Sequence, residues 1–239
     1  MSRKSQKKPT IPVPSAPPRP PATTAQSGQA SRRGLIVAAG AAVLAAAGAS
    51  TYFAFGNRSD ASARPGLAST HAPTLGPATA KVHVVEFFDP ACETCAVFYP
   101  LVKRLVADNR DRIRLSLRHV PLHRGSDEVV RLLEASRKQD RYWPTLEALL
   151  ASQDFWAPNH TAQLALAVQA ITGVGLNLEQ LTADMRAPEV EERMAQDNRD
   201  ATLLQVRQTP EYFVNGRQMT SFGRQQLQAL ISDALQRAY

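Results

Sequence analysis

Residues 35–55 (LIVAAGAAVLAAAGASTYFAF) carry no charge and are apolar all round. As a helix they would span roughly 30 Å, about the thickness of a bilayer's hydrocarbon core. From residue 81 onward the pattern changes to short runs. Residues 81–88 (KVHVVEFF) are β-type and mostly apolar on both faces, which suits a central strand. Asp89-Pro90 breaks that run. Val97, Phe98, Leu101, Leu105 and Val106 then recur at helical spacing, with Pro100 among them predicting a kink. Residues 112–118 (RIRLSLR) alternate polar and apolar and predict a second strand. Together these form a β-α-β unit, which implies parallel strands and a right-handed crossover.

Residues 126–205 read as helical throughout. Ser126 is the expected cap of a helix whose first turn is Asp127-Glu128 and whose apolar face is Val129, Val130, Leu132 and Leu133. Further helices are expected at residues 142–150, 161–171 and 178–185, and from Pro188, a first-turn proline. Trp143 and Trp156 are read as helix anchors. β structure returns around Asn215-Gly216, a strong hairpin signal flanked by Tyr212-Phe213-Val214 and Gln218-Met219-Thr220. Residues 224–239 form a closing amphipathic helix with Leu227, Leu230, Ile231, Ala234 and Leu235 on one face.

Charge refines this picture at the N-terminus. The net charge is +7, yet residues 1–34 hold seven basic side chains and no acid. The rest of the chain is therefore balanced, which argues against a nucleic-acid-binding domain. Residues 1–34 are rich in Pro, Ser, Thr, Ala and Gln and read as a disordered basic tail. Arg32 and Arg33 stand directly before the apolar stretch, so the positive-inside rule leaves the N-terminus cytoplasmic and the remainder outside. Residues 35–55 are accordingly expected to be a single transmembrane signal anchor or, with Ala47-Gly48-Ala49 as cleavage site, a signal peptide. The run Ser31-Arg32-Arg33-Gly34-Leu35 also resembles a twin-arginine export signal. Residues 56–80 are Gly, Pro, Ser, Thr and Ala and are read as a flexible linker, with His71 exposed in it.

The chain has two cysteines, Cys92 and Cys95, between the first strand and the first helix. Two cysteines cannot build a disulfide scaffold and fall short of a structural zinc site. A pair two residues apart at a helix N-terminus reads as a thiol/disulfide redox site, because the unpaired N–H groups there favour thiolate over thiol.

The element order and the run Glu86-Phe87-Phe88-Asp89-Pro90-Ala91-Cys92-Glu93-Thr94-Cys95 resemble the DsbA-like thiol:disulfide oxidoreductases, an α/β thioredoxin fold with an inserted helical subdomain. Gln139-Asp140-Arg141-Tyr142-Trp143 is similar to the aromatic stretch of the family's insertion. Thr209-Pro210-Glu211-Tyr212-Phe213-Val214-Asn215-Gly216 is similar to its cis-proline motif. The resemblance covers residues 81–239, with the helical insertion at about 126–205. It implies that Cys92 attacks, that Cys95 resolves, and that Glu86 carries the proton for the buried cysteine. It also implies a cis Thr209-Pro210 bond beside the cysteines, with Thr209 and Pro210 contacting substrate. Glu93 and Thr94, the residues that tune the pair, depart from the Pro-His of strongly oxidising members. An ionised Glu93 would oppose a thiolate and raise the Cys92 pKa, so a less oxidising pair is expected.

The expected function is a thiol:disulfide oxidoreductase tethered to a bacterial-type inner membrane through residues 35–55, its catalytic domain periplasmic. Its partners would be cysteine-containing exported proteins and a membrane or soluble redox partner. No cofactor, metal or nucleic acid enters. The alternatives are a copper-handling module using Cys92, Cys95 and His119 or His123, and a catalytically silent binding module.

Overall fold

A computed structural model describes residues 64–239. The expected basic tail, the apolar anchor and residues 56–63 of the linker lie outside the described residues. Among the described residues, no helix is long and apolar enough to cross a membrane.

The core is a five-stranded sheet in the order β1-β3-β2-β4-β5. Central strand β2 (Val82–Phe88) pairs in parallel with β3 (Ile113–His119), and helix α1 (Glu93–Asp108) makes the crossover. Strand β4 (Glu211–Val214) runs antiparallel to β2, and β5 (Arg217–Gln218) closes the hairpin. The hairpin loop is Asn215-Gly216, both at positive φ (45° and 78°), the backbone that a two-residue primed turn requires. Asn215 also ties the turn to the sheet: its Oδ1 accepts from the His83 N–H at 2.7 Å. Helix α1 runs through Pro100 as one element. Pro100 is exposed, so the carbonyl it leaves without a partner can be met by water.

The two faces of the sheet bury different sets. Val82, Val84, Phe88, Tyr212 and Val214 share a cluster with Phe98, Tyr99 and Val102 of α1 and with Leu227 and Ile231 of the last helix, α8 (Arg224–Ala238). Val85, Phe87 and Phe213 point the other way, onto Leu67, Val120 and Ala201. This alternation puts Glu86 on the α1 face with Val84 and Phe88.

The insertion consists of α2 (Ser126–Ser136), α3 (Tyr142–Ala151), α4 (Gln153–Trp156), α5 (Leu164–Ala170), α6 (Leu178–Asp184) and α7 (Pro188–Leu203). Trp156 is fully buried, its Nε1 donating to the Leu149 carbonyl at 2.7 Å. Two helix starts differ from the sequence expectation. The cap of α2 is Gly125, at φ 76°, while Ser126 is drawn inward to donate its hydroxyl to Asp89. Helix α5 begins three residues late because Thr161 pairs with Arg124 as an isolated β-bridge.

Residues 64–80 are not the free linker that their composition suggested. Leu67 is buried against the sheet, and β1 (Thr74–Leu75) pairs antiparallel with the edge of β3. His71, expected to be exposed, lies 2.7 Å from Asp197 Oδ1 with its side chain largely covered. The composition shows the loop residues, but one apolar anchor and an open strand edge decide where they lie.

Strand β3 hides a second departure. Its alternation would ordinarily turn the arginines to solvent, yet Arg118 is fully buried. Helix α7 covers that face and supplies Asp197 and Asp200, whose oxygens lie 2.6 and 2.5 Å from the guanidinium; the Gly66 carbonyl takes a third hydrogen bond at 3.0 Å. A buried guanidinium is tolerable only with such complete pairing.

Candidate active site

The site forms where the C-terminal end of β2 turns into α1. Asp89 and Pro90 end the strand, and Cys92 occupies the cap position of the helix with extended backbone (φ −79°, ψ 114°). Buried Asp89 organises the turn. Its carboxylate accepts from the N–H groups of Ala91 (2.8 Å), Leu122 (2.7 Å) and His123 (2.9 Å), from the Ser126 hydroxyl, and lies 2.7 Å from His123 Nδ1. From the insertion, Gln153 donates through Nε2 to the carbonyls of Pro90 (2.7 Å) and Cys92 (3.1 Å). Asp89 and Gln153 were not picked out from sequence. A buried carboxylate before the cysteines was visible as Asp89-Pro90, read only as a strand breaker; Gln153 carried no signal.

Both cysteines are free thiols. Cys92 is 5% exposed and Cys95 is fully covered. The Thr209-Pro210 peptide is cis, as the resemblance implied, and Cys92 Sγ donates to the Thr209 carbonyl at 3.1 Å. The structure therefore brings Cys92, Cys95, Glu86 and Thr209-Pro210 together, while Glu93 and Thr94 are exposed on the first turn of α1.

Electrostatics separate the two thiols. The Cys92 pKa is lowered to about 5. The main cause is hydrogen bonding from the Cys95 thiol, opposed by burial and assisted by the Thr209 side chain, the Cys95 backbone N–H and the charge of His123. The Thr209 hydroxyl is buried with no partner while Cys92 is a thiol, so it is a donor available when the thiolate forms. Cys95 moves the opposite way, pushed well up chiefly by burial, and then by Cys92 and by the charge of Glu86. The influences that set Cys92 come from Cys95, Thr209 and His123, and Glu93 is not among them. Glu93 points outward, its Oε1 lying 3.7 Å from His160 Nε2, and His160 in turn stacks on His123 at 5.0 Å. Solvent and the histidine pair hold the Glu93 charge off the sulfur. Thr209→Val keeps the shape and removes the hydroxyl. It is expected to raise the Cys92 pKa by about one unit, read from the pH dependence of alkylation.

Glu86 is fully buried, with Tyr212 OH donating to Oε1 at 3.0 Å and Oε2 without a partner. Burial pushes its pKa up to about 8; the Tyr212 hydrogen bond works against this and the charge on Cys92 adds to it. It is thus a buried carboxyl poised to exchange a proton near neutral pH beside Cys95.

The histidines considered as copper partners are engaged elsewhere. His119 is buried with Nε2 2.9 Å from Tyr142 OH and Nδ1 3.1 Å from Glu134, and His123 faces Asp89. Among the described residues, no group of three His, Cys, Asp or Glu side chains is disposed to hold a metal ion.

A thioredoxin-like oxidoreductase from Silicibacter pomeroyi DSS-3 is 32% identical to the chain, with a TM-score of 0.62, over 77% of this chain and 99% of that one. BdbD from Bacillus subtilis shares the fold at 22% identity and a TM-score of 0.61, over 70% and 94%. Among curated proteins, the Na(+)/H(+) antiporter NhaA of Herminiimonas arsenicoxydans is 31% identical over 144 residues, which is 60% of this chain and 22% of that protein. This chain therefore spans about a fifth of the length of the curated relatives it matches. The thioredoxin family model matches residues 68–233. With the fold and the site described above, the chain belongs to the thioredoxin family, with a helical insertion.

Proposed function

We propose that the chain is a membrane-anchored, extracytoplasmic thiol:disulfide oxidoreductase that exchanges disulfides with cysteine-containing exported proteins through Cys92 and Cys95. The observation that carries this reading is Cys92 at the start of α1, its thiol donating to the Thr209 carbonyl at 3.1 Å and its pKa lowered by the Cys95 and Thr209 side chains, with a buried Cys95 of raised pKa one turn behind. Such a pair assigns the roles of attacking and resolving sulfur. The backbone beside Pro210 offers an extended substrate a main-chain partner.

Stabilising one thiolate of the pair favours its dithiol form and so makes its disulfide the better oxidant. The chain accordingly passes its disulfide to substrate thiols: a substrate thiolate attacks Cys92, releasing Cys95, and a second substrate thiolate displaces Cys92. The substrate loses two electrons and the Cys92–Cys95 pair gains them. A separate membrane or soluble redox partner restores the disulfide. Residues 35–55 hold the domain on the outer side of a bacterial-type inner membrane.

The test combines the oxidised full-length chain with a reduced two-cysteine peptide. Transfer of one disulfide per chain supports the reading, and peptide thiols left unchanged would overturn it. For location, a phosphatase active only outside the cytoplasm is fused after residue 239. An inactive fusion of normal abundance would overturn the extracytoplasmic placement.

A further inference from the structure

The cross-strand register sets Glu86 of β2 directly opposite Tyr212 of β4. The two side chains share one face of the sheet and meet at 3.0 Å, hydroxyl to Oε1. The Tyr212 ring is fully buried and packs on Phe98 at 6.2 Å, so the hydroxyl is held in place by its own scaffold. Opposite Glu86 on the other side, β3 offers only Leu117. The titratable groups facing Glu86 are therefore Tyr212 from β4 and Cys92, Cys95 and Tyr99 from α1. Helix α8 contributes Leu227 and Ile231 to this layer, and its Arg224 guanidinium lies over the Phe98 ring at 5.9 Å. Of the two carboxylate oxygens, one has a fixed donor and the other, Oε2, has none.

We propose that Tyr212 is a positioning residue for disulfide exchange: its hydroxyl holds Oε1 of Glu86 so that Oε2 is left as the proton acceptor and donor for Cys95. This rests on the oxidoreductase reading above. When the pair is re-formed from a mixed disulfide, Cys95 gives its thiol proton to Oε2 and its sulfur attacks Cys92. The Cys92–substrate bond breaks as the Cys92–Cys95 bond forms, and the substrate leaves as a thiolate. In the reverse direction the protonated carboxyl returns the proton to Cys95 as it leaves. Tyr212 keeps its own proton in both directions, because burial and the neighbouring carboxyl push its pKa well up. A hydrogen bond that favours the ionised carboxyl over the neutral one lowers the pH at which Glu86 can accept.

The test uses the full-length chain and follows the pH profile of mixed-disulfide resolution, together with the infrared carbonyl band of the protonated carboxyl, for wild type, Glu86→Gln and Tyr212→Phe. The carboxyl band is assigned by its loss in Glu86→Gln. In Tyr212→Phe, both the rate midpoint and the band titration are expected to move up by about one pH unit. A role in packing alone would lower the rate equally at all pH values. Unmoved midpoints in Tyr212→Phe would therefore overturn the proposal. Replacing tyrosine throughout by 3-fluorotyrosine, a stronger donor, is expected to move both midpoints down, and keeps the test open should the Phe variant fold poorly. If Glu86→Gln leaves the rate profile unchanged, the proton-carrier reading fails, while the band titration still reports whether Tyr212 sets the carboxyl.

Discussion

Cys95→Ser is expected to stop exchange at the mixed disulfide, lowering turnover by about a thousandfold or more, while Cys92 stays reactive. The serine hydroxyl can still donate to the Cys92 sulfur, and the Thr209 side chain and the Cys95 backbone N–H still act on it. Alanine at the same position removes the largest influence lowering the Cys92 pKa. Cys95→Ala is therefore expected to show a less acidic Cys92 than Cys95→Ser, even though neither can resolve. Non-reducing gels of chain and a disulfide-bearing substrate check the first point, since Cys92 of the serine variant attacks that disulfide and accumulates a reducible adduct of one substrate per chain. The pH dependence of alkylation checks the second. Normal turnover by Cys95→Ser would mean that Cys95 is not the resolving sulfur. Equal Cys92 acidity in the two variants would mean that the Cys95 side chain does not stabilise the thiolate.

The strands and the cysteine turn were legible because their signals are local. Apolar runs, a β-α-β spacing and Asn-Gly at the hairpin each act within a few residues. Glu86 was legible for a related reason: a carboxylate in a strand apolar on both faces has to be buried or bounded by an edge. What the sequence concealed are contacts between distant segments. Arg118 reads as a wet position until α7 brings Asp197 and Asp200 onto it. His71 reads as loop until the same Asp197 fixes it. Gln153 holds the cysteine turn from the insertion, and Tyr212 reaches Glu86 only because the two strands align in register. The direction in which Glu93 points was hidden in the same way: its charge was weighed by distance along the chain, whereas the fold turns that side chain to solvent and His160.

Glu86→Gln is expected to remove a pH-dependent cost from the folded domain while slowing the reaction the domain performs. The Glu86 pKa stands at about 8 in the folded protein against an ordinary value of 4.5, with burial as the main cause. A raised pKa means that the folded state holds a proton that the unfolded state releases between those two values. Its contribution to stability is fully present below pH 4.5 and is lost as pH rises toward 8. By pH 7 the loss amounts to about 3 kcal/mol. Glutamine cannot ionise, so its stability curve lacks this limb. Its buried amide adds an offset that does not vary with pH. His83, whose pKa falls to about 4 through burial and the charge of Arg114, bends both curves alike and cancels in their difference. The difference is therefore expected to be flat below pH 4.5 and to grow in favour of Gln by about 1.4 kcal/mol per pH unit above it, levelling near pH 8. Denaturant unfolding of both proteins across this range measures it, and a difference that ignores pH would show that Glu86 is not held protonated by burial. The same change deprives Cys95 of its proton partner, with an expected loss of about a hundredfold in resolution rate at neutral pH. Stability gained and rate lost at one residue would mark Glu86 as kept for chemistry, since the fold is better off without its charge.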